Sequence, residues 1–207
     1  MPITNTQRDQ INAATIIMFG IPSGGFADAL ESIFTVRNGN AAQLIQDLAA
    51  LPVFESLFTG TPDVLATKLA NAYGFGSTSG GVGQQIKTIF LDSLQAGLSL
   101  PALIHAANEF FLFTNNPVFA DARSAFLNKI EVSNFYTYGL QGQSQDIGIL
   151  QQVLAGVNGN ASSVTSAKLL LAQAVINDTP AQTLTTGNDS YFGTSDNDRV
   201  DALAGND

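Results

Sequence analysis

Apolar residues recur at helical spacing along most of the chain. Ile11, Ala14, Thr15 and Met18 share one face of a segment over 6–19, and Gly20 is placed to end it. After the turn Ile21-Pro22-Ser23-Gly24-Gly25, a second segment carries Phe26, Leu30, Ile33 and Phe34 and stops near Asn38-Gly39. Asn40 is the expected N-cap of a third, Ala41–Leu51, with Leu44, Ile45 and Leu48 apolar. Pro52 starts a short helix with Phe54, Leu57 and Phe58, ended by Gly60. Pro62–Tyr73 follows, with Leu65, Leu69 and Tyr73 four apart and Gly74 as its stop. Beyond a Gly/Ser loop come a long helix with Ile86, Ile89, Phe90 and Leu94, and then Leu100–Phe113. Pro117 opens a helix with Phe119, Ala122, Phe126 and Ile130 on one face, running through Tyr138 to Gly139. Ile147, Leu150, Val153 and Leu154 form another apolar face, and Val164–Val175 is the last expected helix.

These segments align with one another. Met18-Phe19-Gly20 matches Ala72-Tyr73-Gly74, and Ser23-Gly24-Gly25-Phe26 matches Ser79-Gly80-Gly81-Val82. Ile33-Phe34 matches Ile89-Phe90, and Leu44-Ile45 matches Leu103-Ile104, so a unit of roughly 55 residues is read as duplicated. A looser third copy has Gly139 in the place of Gly20, and Asn158-Gly159-Asn160-Ala161 repeats Asn38-Gly39-Asn40-Ala41. The competing reading is coincidence in an Ala-rich helical chain. The copies cover about 6–60, 61–114 and 117–176 of a helical domain over 1–176, and 177–186 is a linker in which Pro180 closes the helices and Thr183 begins a strand.

From 187 the pattern changes. Asp189, Asp198 and Asp207 are nine apart, as are Asn188, Asn197 and Asn206, and Tyr191 and Val200 follow two residues after their aspartates. That period fits a parallel β-roll, in which each turn is a polar loop followed by a short strand. Carboxylates and carbonyls in such loops are the hard oxygen ligands that calcium prefers. The competing reading is a solvated Asn/Asp/Gly-rich tail. The fold class expected is therefore all-α, repeated helix–loop–helix units in a multi-helix domain, followed by the truncated start of a parallel β-roll; a roll cut off in mid-repeat suggests a fragment of a longer protein.

Composition narrows the chemistry. The chain has 207 residues, 45% hydrophobic and only 12% charged, and its net charge is −9. The eight Lys and Arg form no run, which argues against nucleic acid and anionic membrane surfaces. No cysteine is present, so disulfides and thiolate metal sites are excluded. No apolar run approaches the ~20 residues of a membrane span, and Met1–Asn5 lacks the basic start of a secretion signal. His105 is the only histidine and is expected on a helix surface or core edge. No nucleophile–base constellation is identifiable, so the chain is read as non-enzymatic. The aromatic run Phe135-Tyr136-Thr137-Tyr138 beside Asn134, with Tyr73 at the equivalent place in the second copy, has the composition of a sugar-binding surface. Tyr73, Asn134, Tyr136 and Tyr138 are accordingly the glycan candidates, although core packing of helix ends is the simpler account of any single one.

The tail resembles the RTX nonapeptide, with Gly187-Asn188-Asp189 in its fourth to sixth positions and Tyr191 in its large apolar one. Gly193-Thr194-Ser195 open the next copy, Asp196 replaces its third glycine, and Gly205-Asn206-Asp207 return after Ala202-Leu203-Ala204. The whole chain is similar to the cell-anchoring region of RTX-type surface-layer (S-layer) proteins of Gram-negative bacteria. That resemblance implies Ca2+ held by Gly187, Asn188, Asp189, Asp196, Asp198, Gly205, Asn206 and Asp207, with Gly187/Asp189 paired with Gly205/Asp207 eighteen residues on. It also implies type I secretion to the cell surface with an export signal beyond Asp207, and a non-catalytic helical domain that docks on the O-antigen of lipopolysaccharide and packs beside neighbouring S-layer protomers. The alternatives are a helical protein-interaction head of a secreted RTX adhesin or toxin, or a non-catalytic part of an RTX hydrolase.

Overall fold

The computed structural model describes residues 3–76, 81–178, 182–183 and 200–201. Up to residue 178 every described element is helical or a turn, and the chain forms an all-α multi-helix domain. The chain divides into two compact units, Met1–Ala167 and Lys168–Asp207.

The first unit is built around α1, Asn5–Phe19. Its start is fixed by a reciprocal cap. Thr4 Oγ1 accepts from the Gln7 backbone N–H at 3.3 Å, and Gln7 Oε1 accepts from the Thr4 N–H at 2.9 Å. Its end is fixed by Gly20, whose φ of 73° lets its N–H turn back to the Ile16 carbonyl. Ile11 through Phe19 are all buried, so α1 is buried on every side rather than on the single face its apolar spacing suggests. Helices α2 (Ala27–Val36), α3 (Ala41–Ala49), α4 (Pro52–Leu57) and α5 (Pro62–Ala72) pack against it. So do α7 (Leu100–Phe113) and α8 (Ala120–Asn134), while α6 (Gly81–Gln95) packs on α5 and α7.

Local chemistry sets most boundaries. Asn40 caps α3 by accepting from the Gln43 N–H at 3.1 Å, as expected. Pro52, Pro62 and Pro101 stand in the first turns of α4, α5 and α7, where a missing N–H costs nothing. A bidentate Arg37–Asp47 pair (2.8 and 2.9 Å) spans the α2–α3 turn, in which Asn38 and Gly39 both have positive φ. The identical sequence at Asn158–Ala161 turns differently: neither Asn158 nor Gly159 has positive φ, and Gly156 takes that role at 77°. There the Asn158 carbonyl is held instead by Asn128 Nδ2 at 2.7 Å.

The helix expected from Pro117 through Tyr138 to Gly139 is unbroken but changes type along its length. Pro117–Phe119 is a 3₁₀ turn, α8 runs Ala120–Asn134, and Phe135–Gly139 widens into a π turn. Gly139 lacks the left-handed backbone of Gly20 and Gly74, and Gln141 supplies it with φ of 53°. Then follow α9 (Ile147–Val153), capped by Asp146, and α10, Ala161–Asp178, three residues longer than expected at each end. In the second unit, β1 (Gln182–Thr183) and β2 (Val200–Asp201) pair in parallel, Gln182 opposite Val200 and Thr183 opposite Asp201.

Candidate functional site: a polar cleft at the Tyr138 turn

Two glycines create the site. Gly24 and Gly25 precede α2, and the segment 140–146 crosses directly over them. A side chain at Gly25 would fall on the Gln143 carbonyl oxygen, and one at Gly24 would come within 2.6 Å of Leu150 Cδ2. The close approach is bonded from both sides. Gly25 N–H donates to the Ser144 carbonyl at 2.9 Å, and Gln145 Nε2 donates to the Gly25 carbonyl at 3.0 Å. Thr137 Oγ1, from the π turn, accepts from Gly24 N–H at 3.0 Å.

Beneath this crossing runs a chain of amides. Asn12 is fully buried. Its Oδ1 accepts from Ser23 N–H at 3.0 Å and from Ser23 Oγ at 2.7 Å, and its Nδ2 donates to Asn134 Oδ1 at 2.8 Å. Asn134 Nδ2 in turn donates to Asp9 Oδ1 at 2.7 Å. Every amide group of the chain has a partner, which fixes how both asparagines point. The network ties α1 to the Ser23 turn and to the end of α8, and so holds the π turn against Gly24.

Above it lies a cleft of about 270 Å³, lined by the Gly24–Gly25 backbone, Ala27, Asp28, Thr137, Tyr138, Gln141 and Gln143. The Arg8 guanidinium sits 4.2 Å from the Tyr138 ring centre and pairs with Glu31 at 3.2 Å. The Tyr138 hydroxyl lies near Glu31 and Ser23 without a partner in hydrogen-bonding geometry. Burial, reinforced by the Glu31 carboxylate, pushes its pKa up to about 12, so it stays protonated at any physiological pH. The cleft thus offers one carboxylate, two exposed side-chain amides, a threonine and a half-buried ring. That set suits neutral polyols: a ring edge or face covers C–H surface while amides and carboxylate bond hydroxyls.

The glycan candidates take different places. Tyr138 lines the cleft. Asn134 lies below it with both ends of its amide occupied. Tyr136 is buried, and its ring is crossed so closely by the backbone that a side chain at Gly142 would strike it. Tyr73 is fully buried. Its ring packs on Phe111, Phe126 and Phe90 at centroid distances of 4.9, 5.6 and 6.1 Å, and its hydroxyl donates to Asn108 Oδ1 at 2.6 Å. Tyr73 and Tyr136 therefore present no ring to a ligand, because each closes the end of a helix against the core. His105 is half-buried on α7, as expected. Gly187, Asn188, Asp189, Asp196, Asp198, Gly205, Asn206 and Asp207 lie outside the described residues. Among the described residues, no three His, Cys, Asp or Glu side chains are grouped to hold a metal, and no helix is long and apolar enough to cross a membrane.

Asp28, Thr137, Gln141 and Gln143 are functional candidates that sequence reasoning missed. For Gln141 and Gln143 the signal was the Gln141-Gly142-Gln143-Ser144-Gln145 run, whose small residues and amides suit a backbone-hugging polar loop. No protein-family model, curated protein or solved structure matches the chain.

Proposed function

We propose that the chain is the anchoring region of an RTX-type surface-layer protein, a binding module and not an enzyme. Its helical unit docks on the O-antigen polysaccharide of lipopolysaccharide, and its tail folds on calcium at the cell surface. The observation that carries this reading is the agreement of two spacings. Gln182 pairs in parallel with Val200, eighteen residues on. Eighteen residues is also two nonapeptides, the interval between Asp189 and Asp207. In a roll of nine-residue half-turns, strands of one sheet recur at that interval. Gly187, Asn188 and Asp189 with Gly205, Asn206 and Asp207 would hold the ion, and Asp196 and Asp198 would face the other side. Calcium there neutralises carboxylates that otherwise repel one another, so the tail orders only where calcium is abundant.

The cleft supports the ligand class. Among the described residues no cation lines it to attract phosphate, and its two amides, the Thr137 hydroxyl and the Tyr138 ring match a neutral sugar. The low charge of the chain agrees with uncharged contacts, both to glycan and to neighbouring protomers. The second reading is the protein-interaction head of an RTX adhesin or toxin. Phe110, Phe113 and Val118, all exposed at the end of α7 and the turn after it, favour it.

Sedimentation of the full chain with cells that carry or lack O-antigen decides between them. The proposal expects the chain to pellet only with O-antigen-bearing cells; equal binding to both sinks it. Melting with calcium and with chelator should differ in the tail alone, and identical curves would remove calcium from the reading.

A further inference from the structure

Helix α2 walls a second cavity on its other side. Phe26, Leu30 and Ile33 face Phe19, Leu48 and Leu51 across a half-open space of about 310 Å³. Ala29 lies at this wall, and Ile147 closes another side. Thr15 is the one lining residue with a polar side chain, and its hydroxyl is turned back to the Asn12 carbonyl at 3.2 Å. Among the described residues, none that lines it carries a charge or a free side-chain donor or acceptor. At the mouth, Ile33 and Leu51 are large apolar groups 37% and 43% exposed.

We infer that this cavity is a binding site for one neutral hydrocarbon chain. The absence of any polar group selects the chemistry: an inserted hydroxyl, amide or charge loses its water and gains no partner. Size selects the form. An enclosed apolar cavity of ~150 Å³ takes a benzene ring. The cavity here is about twice that, more than a single side chain from a docking protein fills and enough for an alkyl chain of roughly ten carbons. The inference is independent of the glycan reading, because the sugar cleft lies on the opposite side of α2 and shares none of these side chains.

The test is titration of the full chain with N-phenyl-1-naphthylamine, a neutral apolar dye that fluoresces out of water, followed by displacement with 1-decanol. The site predicts saturable one-to-one binding and full displacement by decanol. Ala29→Phe, which fills the mouth, and Ile33→Asp, which charges it, should each weaken binding at least tenfold. Val36→Asp, on the same helix at a residue that is 74% exposed and outside the lining, should leave it unchanged. Circular dichroism checks that each variant folds, and either mouth variant alone is sufficient. Unsaturable fluorescence, or saturable binding that both mouth variants retain, overturns the inference. So does a self-associating chain that both variants make monomeric while decanol displaces no dye, since the occupant is then protein.

Discussion

Replacing Asn12 by leucine tests the polar network under the cleft most sharply. Leucine has nearly the same volume and branching, so no cavity opens, but all three side-chain hydrogen bonds of Asn12 vanish. What remains decides the cost. Ser23 is fully buried, and its N–H and hydroxyl both lose their acceptor. An unpaired buried polar group costs about 1–3 kcal/mol. Asn134 is only part-buried and keeps its bond to Asp9, so its freed oxygen can turn to water at little cost. The two stranded groups together cost about 2–6 kcal/mol, which in a unit of this size lowers the melting temperature by about 10 °C. Urea unfolding followed by helical circular dichroism measures it. Adding Ser23→Ala removes one of the stranded groups, so the double variant should be no less stable than Asn12→Leu alone, whereas Ser23→Ala in the native background should cost about 1 kcal/mol. A loss under about 1 kcal/mol for Asn12→Leu, or strict additivity with Ser23→Ala, would refute the reasoning.

Two further outcomes follow from single positions. Gly25→Ala sets a methyl group on the Gln143 carbonyl; backbone cannot swing aside as a side chain can, so a loss of about 1–3 kcal/mol and faster proteolysis in 140–146 are expected. Lys129 is held below the ordinary lysine range by burial, so the folded state binds its proton more weakly than the unfolded state does. Stability therefore rises as pH climbs through the lowered folded value and levels off above the free-lysine value of 10.5. Lys129→Met keeps the stem and removes the charge, and should melt higher than the native chain at pH 7 with the gap closing by pH 11; a lower melting point at pH 7 would contradict it.

Much of the helical unit was legible because its boundaries are local. Asn40, Pro52, Pro62, Gly20 and Gly74 act through the few residues beside them, and periodicity located the helices between. What failed was tertiary. The aromatic run at 135–138 reads as one surface, yet the π turn and the segment crossing at Gly142 bury Tyr136 and leave Tyr138 at the cleft. Asn12 sits among Ile11, Ala13 and Ala14, and nothing nearby announces that its partners are Ser23 and, far along the chain, Asn134. Asp28 and Gln143 line one cleft only because two glycines let distant backbone segments touch. Identical Asn-Gly-Asn-Ala tetrapeptides turn differently because Arg37–Asp47 holds one and Asn128 the other. The nonapeptide period falls on residues outside those described except for Val200 and Asp201, and the Gln182–Val200 pairing spans eighteen residues.

The central claim is that the helical unit holds a neutral polysaccharide in the cleft beside Tyr138. Calorimetric titration of purified O-antigen polysaccharide into the full chain, with chelator present, tests it directly. The account predicts saturable binding without calcium, weakened at least tenfold by Tyr138→Ala and by Gln143→Ala. Absence of binding heat, or unaltered affinity in both variants, would contradict it.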